Sequence, residues 1–425
     1  MKRYLITVLA IVSLVAVVAV ACAPTAAPSP EAKEKEVKVG IQVAFTGALA
    51  STTAIIGSGA LDYLNYVNEE LGGIKYVDPA TGKTSYTKLS INWGDNAVNV
   101  PKGLSLYKRQ KAGGMNLLIL AACSPIPGSV SALCSRDQIA AAVVGAGAAA
   151  PDTFAPEPLY ITMQSPNTAE TEAVILDWFA GQWNESRQPR VGCFTVDVAS
   201  QRTKEIPEGL PAHAEMLGFE WLGHEWIPFT ATDTSVEWVR MMGKEPDLLI
   251  ISHVTAGYKV MLEDALRLGF IGKATIAGPF WSWDPTLPTL VSPEAVEGMV
   301  FSSMYAFPDE DVPGVALARN IAQSHGRSES FSSLYIGGVC DTMKAMEALK
   351  NALEEVGYEN LDGTAVNNAL HNLTNFDPQG LSSPITVDPN YPCLGYDLRM
   401  GIIEGGKLRE ASDWTECPEI RIFMP

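Results

Sequence analysis

The stretch MNLLILAACSPIPGSVSALCSRDQIAAAVVG, residues 115–145, decides how this chain is built. Its opening, MNLLILAA (115–122), is continuously apolar from Leu117 onward. So short a run without alternation reads as a strand buried on both faces, since a half-exposed strand would alternate. Near Ser124-Pro125 the pattern changes, and a helix is predicted from there to about Arg136. QIAAAVVG (138–145) is again short, continuous and apolar. Strand, helix and strand in this form are the repeating unit of a parallel sheet covered by helices on both faces.

The alternation extends in both directions. Upstream, Val37, Val39, Ile41 and Val43 alternate with other residues and mark the first strand. GSGALDYLNYVNEELGGI (57–74) predicts a helix with Leu64, Val67 and Leu71 on one face, stopped by Gly72-Gly73. LSINWGD (89–95) is a strand, and a helix follows over about 101–112. Downstream, the pattern restarts after Tyr160 with a helix over 168–182 and the strand RVGCFTV (190–196). A helix at 208–217, the strand DLLIIS (247–252), a helix at 258–269 and a strand at 274–278 complete a second α/β unit. Two further helices, near 315–324 and 335–355, must finish one or both units.

Composition bounds the rest. A chain of 425 residues suits two domains of roughly 100–200 residues each. With 47% hydrophobic and 18% charged residues it can bury large cores. A formal charge of −18 argues against nucleic acid or an anionic membrane surface as the main partner. At the N-terminus, Lys2 and Arg3 precede an apolar run from Leu5 to Ala21, which ends in Ala19-Val20-Ala21-Cys22. This layout predicts a lipoprotein signal peptide over 1–21, with lipid carried by Cys22. The alternative is a transmembrane anchor, for which 17 residues fall short of the ~20 that span a bilayer. APTAAPSPEAKEKE (23–36) cannot pack and reads as a tether, so residues 22–36 link an extracytoplasmic body to the cell membrane. Cys393 and Cys417 flank a loop-rich segment and are predicted to form a disulfide, whereas Cys193 and Cys340 read as buried thiols. No Cys/His spacing suits a metal, and no cofactor is expected.

Open parallel sheets bind ligands beyond the carboxyl ends of their strands. The loops to read are therefore 44–57, 122–126, 146–152, 197–202, 252–257 and 278–284. Ser124 stands where a strand gives way to a helix, an arrangement suited to an anion. The facing stretch Gly147–Asp152 carries small side chains that let a ligand approach the backbone. AGPFWSWD (277–284) sets Phe280, Trp281 and Trp283 at the end of another strand. Catalytic patterns are weak by comparison. TGKT (81–84) has Val77 where a phosphate loop needs its first glycine, and SLYK (105–108) lacks companion motifs. The five histidines are scattered, and His253, at a strand end, reads as a wall residue. An enzyme is not expected.

Taken in order, VKVGIQVAFTG, GSGALDYLNYVNEELGGI, WGDNAV, LLILAACSP, GAGAAAPD, DLLIISHVTAGYKVMLEDALRLGF, AGPFWSWD, EGMVFSSMYAFP and LYIGGVCDTMKAMEAL span nearly the whole body of the chain. The set resembles the branched-chain amino-acid-binding (leucine/isoleucine/valine-type) periplasmic solute-binding proteins of ABC importers. The resemblance implies an α/β fold of two Rossmann-like lobes with parallel-rich sheets, joined by three crossings and closing like a hinge on a solute. Lobe 1 would comprise 37–163 and 303–382, and lobe 2 would comprise 164–302 and 383–425. It further implies that Ser124 holds a ligand carboxylate. Ala149 replaces the family's threonine, leaving only a backbone N–H there. Cys123 matches half of the family's disulfide, with Val98 near the other half, and the pairing of Cys123 and Cys134 stays open. Phe280 stands where the family has the acid that binds the ligand's ammonium.

Candidate ligand contacts are thus Phe45, Ser124, Ala148 and Ala149 on the first lobe. On the second they are Gln201, Thr255, Phe280 and Trp281. A buried ammonium without a counter-charge costs several kcal/mol in effect. The expected solute is therefore a carboxylate with an apolar or aromatic body and no free amine, with a neutral amide as runner-up. The expected role is a lipid-anchored receptor that hands its solute to ABC permease subunits in the membrane, with no nucleic-acid partner. A ligand sensor feeding a signalling partner is the second class, and a secreted hydrolase using Ser124 the third.

Overall fold

The computed structural model describes residues 35–47, 49–121, 125–145, 148–149, 157–198, 201–282, 287 and 291–420. Cys22, the expected signal, the expected tether up to residue 34, Cys123, Ser124 and Trp283 lie outside these residues, and the tether ends before the expected residue 36, because Glu36 opens the first strand. Of Ala148 and Ala149 only the backbone is described.

The first sheet is built around residues 115–145. It has β1 (Glu36–Val43), β2 (Ile74–Val77), β3 (Thr84–Asp95), β4 (Leu117–Ala121), β5 (Ala140–Val144) and β7 (Ile161–Thr162), in the order β2-β3-β1-β4-β5-β7. Every residue of β4 and β5 is buried, as continuous apolar strands between helical layers require. All pairings are parallel except the β2–β3 hairpin, which lengthens β3 upstream of the expected Leu89. A short ribbon pairs β6 (Ala148–Ala149) with β8 (Ser165–Asn167).

Helices α1 (Ala50–Glu69), α2 (Val100–Ala112) and α3 (Pro125–Asp137) connect these strands. α1 begins seven residues before the expected Gly57, since Gly57 and Gly59 are close-approach sites inside the helix and not its start. A Cβ at Gly59 would come within 2.3 Å of the Tyr335 carbonyl oxygen, so a facing helix packs against bare backbone there.

The second sheet holds β9 (Arg190–Asp197), β10 (Glu220–Pro228), β11 (Leu248–Ser252), β12 (Thr275–Gly278), β13 (Val300–Ser303), β14 (Asp397–Glu404) and β15 (Lys407–Glu410). Their order is β10-β9-β11-β12-β13-β14-β15, with β16 (Thr415–Glu416) beside β14. It is parallel through β13, and β14 to β16 add antiparallel strands. α4 (Thr168–Gln182) starts with a reciprocal cap between Asn167 and Glu170, which places its first turn. It is followed by α5 (Leu210–Met216), α6 (Ser235–Met242), α7 (Thr255–Leu268) and the single turn α8 (Pro293–Val296).

The chain then returns to the first sheet. α9 (Pro313–Ser324) and α10 (Ser333–Val356) pack on α1, and α11 (Gly363–His371) packs beside β5. The two lobes are therefore linked three times: between β7 and α4, between β13 and α9, and between α11 and β14. The first and third links run side by side, with the Met163 N–H donating to Pro392 at 2.8 Å and the Leu394 N–H donating to Met163 at 2.7 Å.

The expected Cys393–Cys417 disulfide is corrected here, because no disulfide joins the two thiols. Cys393 points into the core of the first lobe with Tyr160, Ile161 and Tyr391, whereas Cys417 packs against a different cluster. Cys193 and Cys340 are buried free thiols, as expected.

Candidate functional site

The strand ends of the first lobe are held by their own carboxylates. Asp95, the last residue of β3, accepts hydrogen bonds from the Phe45 N–H at 3.0 Å, the Thr46 hydroxyl at 2.6 Å and the Ala97 N–H at 3.0 Å. Lys102 closes the arrangement at 3.1 Å. Burial raises the Asp95 carboxyl, but the bonds from Thr46, Lys102 and Ala97 outweigh it and hold the group at about 2. The loop carrying Phe45 is thus pinned to an ionised anchor. The Phe45 ring is half-buried and meets Trp93 edge-on at 5.8 Å. Asp95 was not singled out from the sequence, although it lies in the WGDNAV segment that carries the resemblance.

One strand over, α3 begins directly after the undescribed Ser124. At the end of β5, the Gly145 N–H donates to Asp341 Oδ2 at 3.0 Å. Ala148 and Ala149 pair with Ser165 and Asn167, which ties this loop to the first link between the lobes.

The second lobe differs. Gln201 follows β9, Thr255 opens α7 after β11, and Phe280 and Trp281 follow β12. β9, β11 and β12 are neighbours in the sheet, so these residues stand at adjacent strand ends. Gln201 and Thr255 are buried, yet Gln201 Oε1 and Thr255 Oγ1 have no hydrogen-bond partner among the described residues. A buried polar atom left unpaired costs about 1–3 kcal/mol, so such atoms mark places where a partner belongs. His253, directly after β11, is stacked on Phe229 at 6.0 Å, and burial lowers its pKa.

The aromatic pair divides. The Phe280 N–H donates to Ser302 Oγ at 3.1 Å, and its ring is 6% exposed in a core with Ala277, Val300, Met304 and Tyr305. The cavity beside it, lined by Ser302, Ser303, Tyr305 and Ser333 among others, is about 10 Å³, room for a single water. Trp281 is half-buried and keeps an open edge.

Beneath this lobe's strand ends lies a residue the sequence did not reveal. Ser252, the last residue of β11, donates a hydrogen bond to Glu172 Oε1 from α4. Glu172 is fully buried and its Oε2 has no partner. Burial pushes this carboxyl up to about 8, so it is protonated at neutral pH. A lone Glu inside a helix carries no sequence signal of burial. Among the described residues no group of His, Cys, Asp or Glu is arranged to hold a metal ion, and no helix is long and apolar enough to cross a membrane.

Known proteins share this architecture. The family described as periplasmic binding protein matches residues 36–393. No curated protein matches the chain. A branched-chain amino-acid ABC transporter structure from Thermus thermophilus with bound valine superposes with a TM-score of 0.76 at 18% identity, covering 91% of this chain and 98% of that one. A solute-binding protein of an ABC transporter from Rhodopseudomonas palustris BisB5, in complex with 3,4-dihydroxybenzoic acid, gives 0.72 at 18% identity, covering 91% and 99%. A fatty-acid ABC transporter substrate-binding protein from Thermomonospora curvata gives 0.70 at 17% identity, covering 90% and 92%. Identities this low speak for the fold alone.

Proposed function

Because the chain belongs to the periplasmic binding protein family, we propose that it is the extracytoplasmic solute receptor of an ABC importer. It is held to the cell membrane by lipid on Cys22 and a tether, and its lobes divide at 163/164, 302/303 and 382/383. Solute bound between the lobes stabilises the closed form, and membrane permease subunits recognise that form.

The solute is a small carboxylate with an apolar or aromatic body. The observation that carries this is the buried hydroxyl Thr255 Oγ1, which follows β11 and has no partner among the described residues, with the half-buried Trp281 following the neighbouring strand β12. The hydroxyl can donate to an oxyanion and the indole can cover a ring. Phe280, in place of an acid, leaves an ammonium without a counter-charge there, which disfavours ordinary amino acids. That a related fold is recorded with 3,4-dihydroxybenzoic acid and another with valine makes both solute classes worth testing. A neutral amide is the second reading, favoured by Gln201 Oε1, a pure acceptor that an amide N–H would satisfy.

Calorimetric titration with benzoate, benzamide and leucine tests these readings. Benzoate binding in the micromolar range or tighter, with no heat from leucine, is the expected result. Tight leucine binding would overturn the solute class.

A further inference from the structure

One buried ion pair touches two of the three links between the lobes and reaches the remaining one through Tyr305. Lys344 Nζ and Asp341 Oδ1 lie 3.1 Å apart on one face of α10, and both side chains are 1% exposed. Lys344 Nζ also donates to the Leu394 carbonyl at 2.7 Å, on the third link. Asp341 Oδ2 accepts the Tyr305 hydroxyl at 2.6 Å, on the second link. Tyr305 Oη in turn accepts from Gln164 Nε2 at 2.9 Å, on the first link. The same Asp341 oxygen accepts the Gly145 N–H at 3.0 Å, where β5 ends and the loop to Ala148 begins.

A packed hydrophobic pair could fill this volume at no loss of stability, because burying two charges costs as much as their attraction returns. What charge adds is direction: each donor and acceptor here has one place to be. α10 belongs to the first lobe, whereas Tyr305, Gln164 and Leu394 sit on the segments that must turn when the second lobe moves.

We infer that Asp341 and Lys344 are a positioning pair for solute binding, joining the strand-end loop at Gly145 to the segments on which the lobes pivot. This rests on the solute-receptor reading above. A solute seated against Gly145 at the end of β5 biases the hinge through Asp341, and a hinge held closed fixes the Gly145 N–H by the same bond, since coupling between two sites is reciprocal.

The experiment uses the full chain with spin labels attached through encoded ketone side chains at exposed positions 83 and 216, one on each lobe. Distance distributions are recorded without solute and with benzoate, on wild type, Asp341→Asn and Tyr305→Phe. Tyr305→Phe deletes one hydroxyl and keeps the core, so it decides the matter if Asp341→Asn fails to fold. Broader solute-free distributions in the variants that fold, with benzoate affinity reduced about tenfold, are expected whatever the change in melting temperature. A purely structural role would lower the melting temperature and leave the distributions of the folded protein as they were; that result overturns the inference. The solute-free measurement is independent of ligand identity, so absence of benzoate binding to the wild type would sink the solute class while the hinge readout still decides the pair's role.

Discussion

The strand ends of the two lobes are finished to different degrees. On the first lobe, Asp95 gathers Phe45, Thr46, Ala97 and Lys102, and Asn96 Nδ2 beside it is left without a partner among the described residues. On the second, Gln201 Oε1, Thr255 Oγ1 and Glu172 Oε2 have no partner among the described residues. On the reading proposed above, the loop gathered by Asp95 needs little reorganisation to bind, and the second lobe favours a solute that supplies its missing partners.

The largest effect that would sharpen the contrast is the pH response of Glu172. Its carboxyl titrates at about 8 in the fold against an ordinary value near 4.3 when unfolded. A raised carboxyl is protonated in the fold while the unfolded chain has already ionised. Stability is thus fully present below the unfolded value and is lost as pH rises toward about 8, by up to about 1.4 kcal/mol per pH unit. Denaturant unfolding from pH 5 to 8.5 should show this loss in the wild type relative to Glu172→Gln. Parallel curves for the two proteins would mean that Glu172 is not a neutral buried acid.

Asp95 provides the next test, at about 2 kcal/mol, because Asp95→Ala strands the donors it gathers. Its carboxyl is held at about 2, so its contribution is present above the ordinary carboxylate range and fades as pH falls toward 2. Urea unfolding at pH 7 should register the loss, and unchanged stability would erase the claim that the first wall is pre-built.

The smallest effect is the most discriminating. Thr255→Val removes a hydroxyl that has no partner, so the solute-free protein should melt no lower than wild type and gain up to about 1 kcal/mol. Benzoate affinity should fall several-fold in the same variant. A lowered melting temperature would show that the hydroxyl already serves the protein itself.

How much of this was legible depended on whether the signal was local. β4 and β5 follow from unbroken apolar runs, and the helix expected over Thr168–Gln182 is α4, opened by the Asn167–Glu170 cap. β10 was missed because a register shift between Trp221 and His224 interrupts its alternation. β15 and β16 were missed because they are short and largely exposed, and β14, inside the sheet, was missed because Arg399 and Gly401 interrupt its apolar run. Phe280 was placed correctly at a strand end, but its backbone bond to Ser302 sends the ring into the core with Tyr305. Strand-end position is written in sequence, whereas the direction in which a loop side chain leaves the backbone is not.

The amino-acid order by itself determined two serial α/β units and the strand ends at which a ligand would sit. Burial on both faces of a parallel strand demands a continuous apolar run, and such a run is visible without any partner. Only the tertiary structure decided which polar atoms meet. Asp341 reaches Tyr305 across 36 positions and Gly145 across 196, and Lys344 reaches Leu394 across 50. None of these residues announces its partner, because hydrogen bonds form between atoms that folding brings together, and sequence distance carries no trace of that approach.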